Sequence, residues 1–107
     1  VDVTLPIVTL CGSTRFKDEF LAAQRDLTLQ GVIVLSVGWF SHAEGNGHKE
    51  HSLGGEQAAA LDRLHKAKIA MSDSIYVINV GGYIGDSTAS EIAYASDLKL
   101  PIHYLEP

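Results

Sequence analysis

The sequence predicts an α/β fold, a small doubly wound parallel sheet in a single domain, and three observations predict it. Runs such as "PIVTLCG", "VIVLSV" and "SIYVINV" are apolar almost throughout, as strands covered on both faces must be. They alternate with segments whose apolar residues recur at helical spacing. The 107 residues suffice for one core and are too few for two.

Taken in order, Pro6 to Gly12 is a short β-rich run ended by glycine, and reads as the first buried strand. From Arg15 to Leu29, Phe16, Phe20, Ala23 and Leu27 mark one face of a helix, and Gly31 stands where a C-cap belongs. Val32 to Val37 is a second buried strand. "GWFSHAEGNGHKEHSLGG", residues 38–55, has no apolar period and predicts a long mobile loop over the site. Glu56 to Met71 is a second helix, with Ala58, Leu61, Leu64 and Met71 expected on its buried face. Ser74 to Val80 is the third strand, Ser87 to Lys99 the third helix and Pro101 to Leu105 the last strand. A flavodoxin-like strand order is the economical arrangement, with right-handed crossovers. In such sheets ligands bind beyond the carboxyl ends of the strands, which directs attention to the loops after strands one, two and three.

Composition excludes several classes. A net charge of -5 with eight scattered basic residues opposes a broad grip on a nucleic-acid polymer. The run "GVIVLSVGWF" is about half the roughly 20 residues that a membrane span needs. No basic n-region and h-region precede the first strand, so a cytoplasmic location is expected. The single cysteine, Cys11, reads as a small buried thiol with no redox role.

Three constellations bear chemistry. In "CGSTRF", Gly12 permits close backbone approach, Ser13 and Thr14 offer hydroxyls, and Arg15 joins the positive end of the following helix, a set suited to a phosphate. The same residues also suit an N-cap by Ser13 or Thr14 with a solvated Arg15. Neither a Walker loop nor G-x-G-x-x-G is present. His42, His48 and His51 lie near Glu44 and Glu50, but their spacings fit no familiar structural-zinc pattern, so no metal and no cofactor are expected. In "GGYIGDSTASEIAYA", Thr88 to Glu91 fits the capping box S/T-x-x-E. That leaves unexplained Tyr83, Gly85, Asp86 and Ser87 gathered at the carboxyl end of a strand.

"LCGSTRF", "SDSIYVIN" and "DSTASEIAYA" together resemble the nucleoside 2-deoxyribosyltransferase-like superfamily, which includes the deoxyribosyltransferases and the nucleoside 5'-monophosphate N-glycosidases. With the helix between them these motifs cover about half the chain, and the resemblance implies one domain of that type over residues 1–107. It implies a homodimer that cleaves the bond between a base and C1' of a sugar. Glu91 would be the nucleophile, with Asp86 as a second acid. Gly12, Ser13 and Arg15 would bind the sugar or its 5'-phosphate, joined by Ser87 and Thr88. Members often carry an Asp on the second helix that handles the leaving base's proton. The corresponding position, eight residues before Asp73, holds His65, whose imidazole does the same work near neutral pH.

The chemistry agrees with that assignment. Breaking an N-glycosidic bond builds positive charge on the sugar, which a carboxylate under C1' stabilises and can then bond. Donors at the helix N-terminus are expected to keep Glu91 ionised. The "GSTR" turn favours a nucleoside 5'-monophosphate over a nucleoside. Two other readings stand beside the enzyme: a module that binds or senses a nucleotide without catalysis, to which the missing second-helix Asp points, and an interaction domain whose glycine loops are only turns.

Overall fold

The computed structural model describes residues 4–40 and 55–107. Most of the loop predicted over 38–55, with His42, His48 and His51, lies outside the described residues. β1 (Ile7–Gly12), β2 (Ile33–Leu35), β3 (Ser74–Ile78) and β4 (Ile102–Tyr104) form a parallel sheet in the order β2-β1-β3-β4. α1 (Lys17–Leu29), α2 (Gly55–Ala70) and α3 (Asp86–Asp97) are the crossovers. This is the small doubly wound parallel α/β arrangement that the alternation of strands and helices predicts.

Strand alternation sorts the core into two layers. Val8 and Leu10 of β1 and Ile78 of β3 pack against Phe20 and Ala23 of α1. Cys11 of β1 and Ile75 and Val77 of β3 pack on the other side against Ile69 of α2 and Ala95 of α3. The predicted α1 face therefore stands: Phe20 and Ala23 are buried, with Phe16 and Leu27 packed beside them. Gly31, with φ +85°, closes α1 as expected. Its N–H donates to the carbonyl of Thr28 and that of Val32 to the carbonyl of Leu27, the paired bonds of a Schellman motif.

Two expectations fail. The second strand is not a buried run from Val32 to Val37; only Ile33–Leu35 is strand, half-buried or exposed, because β2 takes the sheet edge. The face of α2 that meets the sheet is not Ala58, Leu61, Leu64 and Met71. Leu61, Leu64 and Met71 are exposed, and His65 and Ile69 are the buried residues. The buried stripe, continued by Ser72 just past the helix end, is turned by one position, about 100°, from Leu64 and Met71. Polar contacts fix that rotation: the Thr9 hydroxyl bonds Ser72 and the carbonyl of Lys68. Tertiary packing overrides the apolar count where sheet and helix share buried hydroxyls.

Gly12 ends β1 beside Ile78 of β3. With φ +154°, an added Cβ would fall 2.8 Å from the carbonyl oxygen of Ile78, so the position admits only glycine without a shift of β3.

Candidate active site

Glu91 is not a cap. α3 begins at Asp86, Gly85 is its N-cap, and no side chain caps it. Thr88 thus sits at the third helical position and Glu91 in the second turn, where a capping box cannot form. Thr88, Glu91 and Ala95 are the buried face of α3, spaced i, i+3 and i+7 as one helical stripe requires. That stripe carries the Glu91 carboxyl, 9% exposed, into the layer beneath the sheet.

Two side chains from other elements meet it there. His65, on the buried face of α2, places Nε2 3.8 Å from Glu91 Oε1 and 3.6 Å from Cys11 Sγ. Cys11 is fully buried at the end of β1, and its thiol shares this cluster with the Glu91 carboxyl, their ligand atoms within 4.8 Å. Burial raises the Glu91 pKa to about 7, opposed by the Cys11 thiol, while Asp62 adds to the rise and Lys66 offsets it. The expectation that helix-terminal donors keep Glu91 ionised is therefore wrong: one turn inside α3 those N–H groups are spent on the helix, and desolvation prevails. Burial, with nearby Lys68, lowers the His65 pKa, against a hydrogen bond to the Leu10 main chain and the charge of Asp62. The ring is neutral at neutral pH. Burial pushes the Cys11 thiol far above its ordinary value, with Glu91 adding to the rise.

A second, open group lies one residue further along β1. Phe16 is the N-cap residue of α1 and no side chain caps the helix, so neither Ser13 nor Thr14 is the N-cap. Instead the Ser13 hydroxyl accepts from Arg15 Nε at 2.9 Å and from the Arg15 backbone N–H at 3.3 Å. The exposed guanidinium lies over the Tyr83 ring, 4.7 Å from its centroid, and Phe16 meets the same ring edge-on at 6.1 Å. Gly85 makes room for that tyrosine, since a Cβ there would come 3.0 Å from the Tyr83 hydroxyl. The first βα turn and the β3–α3 connection thus form one surface.

That connection is braced from the far end of the chain. After β3, a 3-10 turn over Val80–Gly82 holds Gly81 and Gly82 at positive φ. Asn79 Nδ2 donates to the Glu106 carbonyl, the Glu106 N–H donates to Asn79 Oδ1, and Gly81 N–H donates to the Glu106 carboxylate, all within 2.9 Å. Ser87 and Asp86 are exposed on the first turn of α3. Ser87 precedes Glu91 by one turn on the same side, whereas Asp86 is about 140° away round the helix. The structure therefore brings together Glu91, His65 and Thr88 in one layer and Gly12, Ser13, Arg15, Tyr83 and Gly85 on the adjoining surface, and it sets Asp86 apart from Glu91.

The residue that sequence reasoning missed is Cys11. The one available signal was the alternation along "VTLCG", which puts Cys11 on the same side as Thr9 at a strand's carboxyl end. No protein-family model, curated protein or solved structure matches the chain.

Proposed function

We propose that the chain is an N-glycosidase that cleaves the base–sugar bond of a nucleoside 5'-monophosphate or deoxynucleotide through Glu91, with base transfer as a close variant. The observation that carries this reading is a buried carboxyl at the carboxyl end of a parallel sheet, serving no cap and raised in pKa to about 7, beside a cationic, hydroxyl-lined turn. Perturbed carboxyls so placed are the ordinary signature of acid, base or nucleophile chemistry.

In this mechanism the ionised Glu91 oxygen attacks C1' as the bond to the base breaks, and the bonding electrons leave with the base, which takes a proton from solvent water. The resulting glycosyl ester is opened by water in a hydrolase or by a second base in a transferase. Arg15, Ser13 and Ser87 hold the 5'-phosphate, and Tyr83 keeps the guanidinium in place. His65 is 8% exposed and lies against Glu91. Held neutral by burial, it acts as a positioning residue that fixes the carboxyl, and not as the acid that protonates the leaving base.

Glu91→Gln keeps the shape of the side chain while removing the nucleophile. The variant should melt at or above the parent temperature and lose at least about 10³-fold in rate, read as free base by chromatography across a panel of nucleosides and monophosphates. Release at near-parent rate would end the proposal. Arg15→Ala should weaken monophosphate binding far more than binding of the matching nucleoside; equal losses would remove the phosphate assignment.

The buried His65, standing on α2 where the resemblance expects an Asp, favours a second reading, a nucleotide-binding module without turnover. It takes over if the parent releases no base from any member of the panel while still binding a monophosphate through Arg15.

A further inference from the structure

We infer that Cys11 Sγ, His65 Nε2 and Glu91 Oε1 form a three-ligand site for a thiophilic divalent cation, zinc above all, with a fourth position completed by water or another small ligand. The inference does not rest on the glycosidase reading. Each ligand atom comes from a different element, β1, α2 and α3, and all lie within 4.8 Å of one another.

The distances fit the coordination. Zinc bonds of about 2.3 Å to sulfur and about 2.0–2.2 Å to nitrogen and oxygen set the edges of a tetrahedron at roughly 3.3–3.6 Å. The Cys11–His65 separation is 3.6 Å and the His65–Glu91 separation 3.8 Å, so these two edges close by a few tenths of an ångström at most, while the Cys11–Glu91 edge, within 4.8 Å, closes by about 1 Å through a side-chain adjustment. The donor set is selective. A thiolate and an imidazole suit zinc and its neighbours and are poor ligands for magnesium or calcium, which require oxygen.

Charge also balances. A buried dication is costly unless neutralised, and here two anionic ligands and one neutral imidazole bring the site to zero. A thiol and a carboxyl ligate a metal only in their deprotonated forms. Loading therefore exchanges protons for the ion: the cation binds, the S–H and O–H bonds break, and up to two protons pass to solvent. The third ligand is already prepared. His65, buried on α2, already places Nε2 between the other two ligands, 3.6 Å from Cys11 Sγ and 3.8 Å from Glu91 Oε1. A bound cation would occupy the carboxylate that the glycosidase mechanism needs, so the loaded protein is the inhibited form of that enzyme.

The test reads binding and not turnover, so failure of the glycosidase proposal leaves it intact. Metal-free protein prepared with a chelator is titrated with Co²⁺. A near-ultraviolet thiolate-to-cobalt charge-transfer band and visible bands of tetrahedral intensity are expected at one equivalent, both abolished by stoichiometric Zn²⁺. Cys11→Ser should lose the charge-transfer band and bind at least about tenfold more weakly, since even loss of an outer-sphere contact costs that much. Circular dichroism verifies that the variant is folded. Zinc-edge X-ray absorption on the parent chain gives a variant-free check, with one sulfur at about 2.3 Å expected in the first shell. No binding, or cobalt held by nitrogen and oxygen alone, would overturn the inference and assign any bound ion to other histidines.

Discussion

Under α1 the sheet buries the apolar cluster Val8, Leu10, Phe20, Ala23 and Ile78. Under α2 and α3 the apolar residues Cys11, Ile69, Ile75, Val77 and Ala95 share their layer with buried Thr9, His65, Ser72, Thr88 and Glu91. One face of the same four strands is built as an anchor and the other as a chemical environment. A buried polar group costs stability unless partnered, so the second layer is the expensive one, and its expense is concentrated at the carboxyl end of β1.

The comparison breaks most directly at Phe20, which is fully buried and stacks edge-on with Phe40 at 5.4 Å. Phe20→Ala should cost about 3–5 kcal/mol, measured by urea unfolding, and leave Arg15-dependent monophosphate binding unchanged in the protein that remains folded. A loss below about 1 kcal/mol would mean that the α1 face is not the anchor.

Proton linkage sharpens the contrast from the other side. In metal-free protein Glu91 has a folded pKa near 7, raised from the ordinary 4.5. Its protonated form is therefore favoured by folding. That stabilisation is complete below pH 4.5 and is lost as pH rises through 7. His65, lowered from 6.5, has the opposite slope: its neutral form is favoured, and stability is lost as pH falls below 6.5. The two partly cancel, so the informative quantity is the stability of the parent minus that of Glu91→Gln. This difference should fall between pH 4.5 and 7, and a flat difference would show that Glu91 titrates as an exposed carboxyl. The smallest effect lies outside both layers. Lys99 holds φ +64° after α3, and its N–H and that of Leu100 close a Schellman motif on Ser96 and Ala95. Lys99→Gly should raise stability by about 0.5–1 kcal/mol, read as an upward shift in the urea midpoint, with no change in ligand binding.

The anchor was far more legible in the sequence than the site. Phe16, Phe20, Ala23 and Leu27 reveal α1 because a helix packed on an apolar face writes its period in apolar letters. α2 packs on Thr9 and Cys11, so its buried stripe includes His65 and Ser72, and counting leucines selects the wrong side. The Thr88–Glu91 spacing fits a capping box, but the helix starts three residues earlier than such a box requires, at Asp86 with Gly85 as N-cap, which moves Glu91 from the terminus into the core. Cys11, His65 and Glu91 stand 54 and 26 positions apart, and no local pattern joins them. Only the strand order does.

That strand order has a consequence for how the protein is made. β1 is central, but its longer pairing is with β3, Val8 beside Ser74 and Gly12 beside Ile78, and the Ile7 N–H reaches Asp73 across 66 positions. At a translation rate of roughly 5–20 residues per second, roughly 3–13 s pass between synthesis of the first strand and synthesis of its main partner. During that interval "IVTLC" has only the three-residue β2 to pair with, and its second edge is open. Contacts of such long span also slow folding once the chain is free. The nascent chain is therefore most exposed to aggregation between synthesis of β2 and of β3, and a holdase acting in that window would raise the yield of native protein without altering its final stability.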